Sequence, residues 1–369
     1  MRTAPQHPMT RLEREAGRQA VPAAFFPTLV AWQKVHGRHG LPWQGTRDPY
    51  RVWLSEIMLQ QTQVSTVLGY YPRFLARFPD VRALAAAHQD DVLALWSGLG
   101  YYSRARNLHR CAQEVVARWG GAFPRTAEAL QTLHGIGPST AAAIAAFCFG
   151  ERVSILDGNV RRVLTRLLAF EGDLADAAQE RQLWQLAQEM LPAEATADDM
   201  AAYTQGLMDL GATLCTRSKP QCLLCPVASL CQARAQQRPG DFPVKTRKLV
   251  RRTEEWWLVV HRRGDGAIWL AQRPQQGIWA GLYCLPVHTT RAEAWASVTG
   301  SPGTEVAPVR QDTLRHALTH RDLVLQVVEW PGSSPVAGTT AEAGLWVRGP
   351  QDLEIGLPAP VRQWLLQQW

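Results

Sequence analysis

The chain has 369 residues, 46% of them hydrophobic and 19% charged, so it can bury more than one core and is not disordered as a whole. It has no run of about 18 apolar residues, and its first residues, MRTAPQHPMTRLEREAGRQAVP, lack an apolar signal core. Membrane and secreted proteins are therefore set aside and a cytoplasmic location is expected. The formal charge of +7 favours a polyanionic partner without requiring one.

Residues 1–22 read as a flexible polar tail. A helical pattern then holds from 23 to 235. Asp48 and Pro49 supply an N-cap and a first-turn proline, and Tyr50, Trp53, Leu54, Ile57 and Met58 follow at the spacing of one buried helix stripe. Further helices are expected at Tyr71–Arg77, Gln89–Leu95, Arg104–Arg118, Ala127–Leu133, Thr140–Phe149, Val160–Ala169, Gln179–Glu189 and Ala201–Leu210. Residues 236–253 hold Pro239, Gly240 and Pro243, with five basic side chains from Lys245 to Arg252, the composition of an interdomain linker that can lie along phosphates. From 254 to 369 the texture changes to short strands. Trp256–His261 and Ile268–Gln272 flank Gly264-Asp265-Gly266 as an expected hairpin, Leu323–Glu329 is a further strand, and Val361–Gln368 a closing helix. The expected fold is a multi-domain chain: an all-α domain followed by a smaller α+β domain.

Three constellations carry chemistry. Four of the seven cysteines, Cys215, Cys222, Cys225 and Cys231, space as C-x6-C-x2-C-x5-C in a chain with no sign of disulfide use. Metal ligation leads, and spacing leaves zinc and a [4Fe–4S] cube about even. The segment Leu133–Ala141 joins two helices through Gly135 and Gly137. Just before a helix N-terminus, such a turn can present N–H groups to a phosphate, the form of a helix-hairpin-helix over 127–149, although most Gly-x-Gly connections are merely turns. Two carboxylates also stand out. Glu56 lies opposite the Tyr50–Met58 stripe beside Val52, Leu59 and Gln60, where an ordinary surface glutamate and a cleft residue are both possible. Asp157 precedes the stripe Val160, Val163, Leu164, Leu167, and on position alone it is best read as an N-cap.

Taken together, Leu41-Pro42-Trp43, the string Trp53-Leu-Ser-Glu-Ile-Met-Leu-Gln-Gln-Thr-Gln63, Gly98-Leu-Gly-Tyr-Tyr102, the hairpin, Leu156-Asp-Gly-Asn-Val160 and the cysteine loop resemble the MutY-type adenine DNA glycosylases. These belong to the endonuclease III, helix-hairpin-helix superfamily. The resemblance covers nearly the whole chain from Leu41, and the C-terminal part is similar to the family's MutT-like (Nudix-like) domain. It implies hydrolytic removal of adenine mispaired with 8-oxoguanine or guanine in double-stranded DNA by a monomer. Glu56 would be the acid that protonates the leaving base, and Asp157 the carboxylate that stabilises the oxocarbenium-like sugar. The base must leave the stack; Gln61 and Tyr101 match residues that wedge into the duplex. Trp43 and Gln205 match contacts to the adenine. Gly135, Gly137, Ser139 and Thr140 of the hairpin, with Arg217 and Lys219, would meet phosphates. The resemblance turns the cysteine loop (215–231) toward one [4Fe–4S] cluster. Thr319 and His320 match the lesion-recognition loop.

Four departures and absences refine this. Ser139 stands where bifunctional relatives carry a Schiff-base lysine, so a simple hydrolase is expected. His134 replaces a common proline. Leu318-Thr319-His320 replaces the usual Phe-Ser-His, keeping the hydroxyl and imidazole but losing the aromatic ring. The C-terminal domain lacks a nucleotide-hydrolase box and is expected to bind rather than hydrolyse. A pyrimidine-lesion glycosylase/lyase is disfavoured by Ser139, a non-catalytic Fe–S binding protein by the carboxylate pair, and a nucleotide-pool hydrolase by the missing box.

Overall fold

The computed structural model describes residues 21–246, 250–300, 306–331 and 344–369. The expected tail lies almost wholly outside them, as do Arg247 and Lys248 of the expected linker. In chain order the helices begin with α1 (Phe25–His36), α2 (Pro49–Leu59), α3 (Val64–Arg77), α4 (Val81–Ala86), α5 (Gln89–Leu95) and α6 (Ser103–Trp119). There follow α7 (Ala127–Leu130), α8 (Pro138–Phe149), α9 (Gly158–Leu168), α10 (Ala177–Glu189), α11 (Ala197–Thr213) and the short α12 (Gln232–Ala235). The C-terminal part holds β1 (Arg252–Val259), β2 (Ile268–Gln272), β3 (Tyr283–Cys284), β4 (Val287–His288), α13 (Arg291–Thr299), β5 (Arg310–Ala317), β6 (Arg321–Glu329), β7 (Gly344–Val347) and α14 (Ala359–Leu365). The fold is a helical domain followed by a Nudix-like domain with two sheets. No helix among the described residues is long and apolar enough to cross a membrane.

The chain divides into two compact units. The first takes Met1–Val52, Pro124–Thr132 and Ile136–Arg247. Here α11 packs on α1, α8 and α9. Tyr203 of α11 is wholly buried, stacked 4.6 Å from Phe26 and edge-on to Phe25 at 6.1 Å. Small residues let these helices approach: a Cβ on Gly206 would come within 3.0 Å of Leu29. Side-chain caps fix the helix starts, from Asp157 at α9, Asp176 at α10 and Thr196 at α11.

The second unit takes Trp53–Phe123, Leu133–Gly135 and Lys248–Trp369. Its helices are tied by an aromatic cluster in which Phe74 meets Phe78 at 5.1 Å and Trp96 at 6.0 Å, both edge-on, and all three are fully buried. Trp96 passes this order on to the next loop through a bond from its Nε1 to the Gly100 carbonyl at 3.2 Å. The strands form one sheet ordered β4-β1-β6-β5 and another ordered β3-β2-β7.

The expected hairpin of Trp256–His261 with Ile268–Gln272 does not form as such. The turn closes locally, with Arg262 bridged to Ile268 and Trp269 N donating to the His261 carbonyl at 3.0 Å. Beyond the turn the strands part into different sheets. β1 pairs antiparallel with β4 and in parallel with β6, Arg252 opposite Arg321 through Val259 opposite Val328. The reason lies in β1 itself: Trp257, Leu258, Val259 and Val260 are all buried, so this run needs a neighbour on both edges.

Because Phe74 is enclosed by rings, Phe74→Ala should lower the unfolding free energy by about 3–5 kcal/mol and Phe74→Leu by clearly less. Urea unfolding followed by tryptophan fluorescence checks this, and equal losses for the two variants would contradict it.

Candidate active site and nucleic-acid interface

Helix α2 begins with Asp48 accepting the Tyr50 N–H at 2.9 Å. It is buried almost all round, because Val52 and Ser55, on the face opposite the Tyr50–Met58 stripe, are as covered as the stripe. Glu56 is half-buried on that face. The carboxyl is thus only partly open to water, on a helix flank that is otherwise well covered.

Asp157 is indeed a cap. Its Oδ1 accepts the N–H groups of Asn159 at 2.8 Å and Val160 at 2.7 Å at the start of α9, and Oδ2 has no hydrogen-bond partner among the described residues. The segment before it is fixed from both sides. Leu156 N donates to Ser139 Oγ at 3.1 Å, and Arg161 Nε donates to the Leu156 carbonyl at 3.1 Å. One oxygen is thus committed to the fold and the other is available.

In the hairpin, Gly135 adopts φ +75°, and a Cβ there would sit 2.8 Å from Asn107 Cβ. Gly137, the N-cap of α8, is exposed with open space around it. Ser139 is half-buried and Thr140 buried. What the hairpin offers outward is therefore backbone at Gly135 and Gly137 rather than the two hydroxyls.

The four cysteines, all half-buried, line one small cavity with Arg166 and Leu214, of about 30 Å³. Among the described residues, no three His, Cys, Asp or Glu side chains converge to hold a single metal ion. Burial, reinforced by the neighbouring thiols, pushes the Cys225 thiol up to about 11. Arg166, itself buried, organises this loop: Nη1 reaches Cys215 Sγ at 3.4 Å and the Thr216 carbonyl at 2.7 Å, and Nη2 the Arg217 carbonyl at 3.1 Å. Arg217 and Lys219 remain exposed.

Gln205 is half-buried on α11 and donates through Nε2 to Asp209 Oδ1 at 2.8 Å. Asp209 is 1% exposed and also receives Arg38 through N at 2.9 Å and Nε at 2.7 Å. Sequence reading passed over Asp209, yet one carboxylate inside Leu207-Met208-Asp209-Leu210 is the signal of a buried polar anchor. Trp43 is buried in the same unit.

In the second unit, Gln61 and Tyr101 are exposed and both adopt left-handed backbone, φ +55° and +49°. Gly98 beside them has φ +100°, and a Cβ there would meet the Tyr70 hydroxyl at 2.3 Å. Thr319 and His320 occupy the turn between β5 and β6, closed by Leu318 N donating to the Arg321 carbonyl at 2.7 Å. Thr319 Oγ1 donates to the Tyr101 hydroxyl at 3.2 Å. These residues border a cleft of about 560 Å³ whose other walls include Arg106, Trp279 and His316. Burial pushes the His316 imidazole below its usual range, so it stays neutral and offers one donor and one acceptor nitrogen. Trp279 and His316 escaped sequence reading because they lie on separate segments, brought to 5.9 Å by the fold.

Comparison with known proteins agrees with this geometry. Residues 54–189 match the family model of the HhH-GPD superfamily base excision DNA repair protein, and 256–367 that of the NUDIX domain. The adenine DNA glycosylase of Buchnera aphidicola subsp. Baizongia pistaciae is 33% identical over 342 residues, covering 91% of this chain and 94% of that protein. The Homo sapiens adenine DNA glycosylase is 44% identical over 365 residues, covering 85% of this chain and 62% of the human one. Among solved structures, a thermostable thymine-DNA glycosylase superposes with a TM-score of 0.50 at 27% identity, covering 58% of this chain and 96% of its own. With both domain models matched in order and relatives more than 30% identical over most of the chain, the chain belongs to the adenine DNA glycosylases, base-excision repair enzymes that hydrolyse N-glycosyl bonds.

Proposed function

We propose that the enzyme removes adenine standing opposite 8-oxoguanine or guanine in duplex DNA, by hydrolysis and without cutting the strand. The observation that carries this reading is the bond between Thr319 and Tyr101 at the rim of the cleft. Tyr101 is an exposed ring on a loop, suited to enter a base stack, and it touches the loop that would read the opposite base. The two tasks of opening the duplex and inspecting the partner of adenine would then be performed side by side. 8-Oxoguanine differs from guanine by an N7 hydrogen and an 8-carbonyl, and Thr319 and His320 offer an acceptor and a donor for that edge.

In the chemical step Glu56 gives its proton to N7 of the extruded adenine. The bond from C1′ to N9 breaks and its electron pair leaves with the base. The sugar left behind is oxocarbenium-like, and the uncommitted Oδ2 of Asp157 stabilises it until water adds at C1′ and gives up a proton to the Glu56 carboxylate. Gln205, held by Asp209, and Trp43 contact the adenine. Ser139 has no amine for a Schiff base, and its hydroxyl is occupied by the Leu156 N–H. Exposed backbone at Gly135 and Gly137 with Arg217 and Lys219 would grip the phosphates. Cys215, Cys222, Cys225 and Cys231 line one common cavity, and the resemblance to cluster-bearing glycosylases favours one [4Fe–4S] cluster held by the four thiols. When bound, the cluster contributes structure, holding the loop that carries Arg217 and Lys219.

Glu56→Gln should abolish adenine release from a duplex with A opposite 8-oxoguanine while duplex affinity stays within a few-fold; single-turnover cleavage comparable to the parent would remove Glu56 as the acid. Thr319→Ala combined with His320→Ala should cost about 1–3 kcal/mol of the preference for A opposite 8-oxoguanine over A opposite G. Unchanged discrimination in competition assays would assign lesion reading elsewhere. Elemental analysis of purified protein should find iron with labile sulfide, and Cys222→Ser should lose both iron and DNA affinity; stoichiometric zinc without iron would overturn the cluster.

A further inference from the structure

Arg104 stands where hydrocarbon belongs. On α6 it precedes Leu108, Cys111 and Val115 at the spacing of the buried stripe, and it is 7% exposed. A guanidinium removed from water needs acceptors, and this one draws them from two separate segments. Nη1 donates to the carbonyls of Ile57 and Met58 at 2.9 Å each and of Gln60 at 2.7 Å. Those carbonyls close the C-terminal end of α2, where helix acceptors lack intrahelical partners. Nη2 donates to Thr62 Oγ1 at 3.0 Å on the same side, and to the Leu99 and Gly100 carbonyls at 3.3 and 3.1 Å on the other. The guanidinium carbon also lies 5.5 Å from the ring centre of Tyr101. Burial lowers its pKa to about 10, with the Tyr101 hydroxyl opposing that fall, so the group remains a cation at neutral pH.

Gln61 follows Gln60 directly, and Tyr101 follows Gly100. Both are non-glycine residues in left-handed backbone, a conformation that costs energy and persists only where its surroundings enforce it. Arg104 bonds the carbonyl immediately before each of them. We propose that Arg104 is a positioning residue that locks Gln61 and Tyr101 in one fixed mutual geometry, so that both enter the duplex as a single preorganised wedge. This rests on the reading of Gln61 and Tyr101 as wedge residues. Two loops ordered in advance spare the ordering cost at the moment of binding. A lysine keeps the charge but is a point donor without the planar fork, and so cannot reproduce both sets of bonds.

The test uses the full-length protein and a duplex with A opposite 8-oxoguanine carrying 2-aminopurine beside the adenine, whose fluorescence follows extrusion. Arg104→Lys, Gln61→Ala, Tyr101→Ala and the doubles Arg104→Lys/Gln61→Ala and Arg104→Lys/Tyr101→Ala are compared below their unfolding temperatures. Extrusion by Arg104→Lys is expected to slow about tenfold or more, and each double to be no slower than its slower single. A merely structural role would instead give additive losses in the doubles, and that result overturns the proposal. If Gln61→Ala and Tyr101→Ala slow extrusion while Arg104→Lys does not, the wedge stands and the role of Arg104 falls. If neither alanine variant slows extrusion, the wedge reading fails and takes the proposal with it. Thr62→Val, which leaves Arg104 in place and removes one bond to Nη2, serves where Arg104→Lys does not fold: a smaller slowing is expected, and none overturns the proposal.

Discussion

A guanidinium taken out of water must be surrounded by acceptors, and in this chain the acceptors are loop carbonyls. Arg166 in one compact unit and Arg104 in the other are both buried, and each spends its donors on backbone that no strand or helix ladder would otherwise hold. The loops so gathered are the cysteine loop and the pair of turns that carry Gln61 and Tyr101. Removing either cation would leave several carbonyls without partners at once, whereas removing any single acceptor would leave a cation that still has others. These loops are therefore tied by polar contacts radiating from single side chains, in addition to apolar anchors such as Val227.

The two carboxylates that the sequence singles out sit in different kinds of surroundings. Glu56 lies on a helix whose neighbours are nearly all buried apolar residues, while Asp157 meets N–H donors at a helix start. The fold thus gives two identical functional groups different company, one on a helix flank and one capping a helix start.

Much of this was legible in the chain. The Tyr50–Met58 periodicity identified α2, and the position of Asp157 before an apolar stripe identified its capping role, because both rest on contacts a few residues apart. What escaped was long-range. The alternation in Trp256–His261 marks a strand but says nothing of its partner, so the local turn suggested a hairpin where β1 in fact joins β6. β5 was missed because Arg310–Ala317 is polar on one face and only partly covered on the other. The first turns of α3 hide behind Ser65, Thr66 and Gly69, and Pro72 lies inside the helix. Arg104 entered the sequence reading only as the start of a helix, and nothing local tells that it turns inward or which carbonyls surround it. Likewise Thr319 and His320 were identified only through resemblance to a family; their proximity to Tyr101 is a product of the tertiary fold.

The parallel pairing of β1 with β6 also bears on how the protein is made. Synthesis runs from N- to C-terminus, so Trp256–Val260 emerges from the ribosome long before Leu323–Val328 exists to flank it. In the interval β4 offers two paired residues, Trp257 with His288 and Leu258 with Val287, and the opposite edge of an apolar strand stays open. Such an edge is a template for pairing with other chains. The edge of β1 is therefore covered on both sides only once translation has passed Glu329.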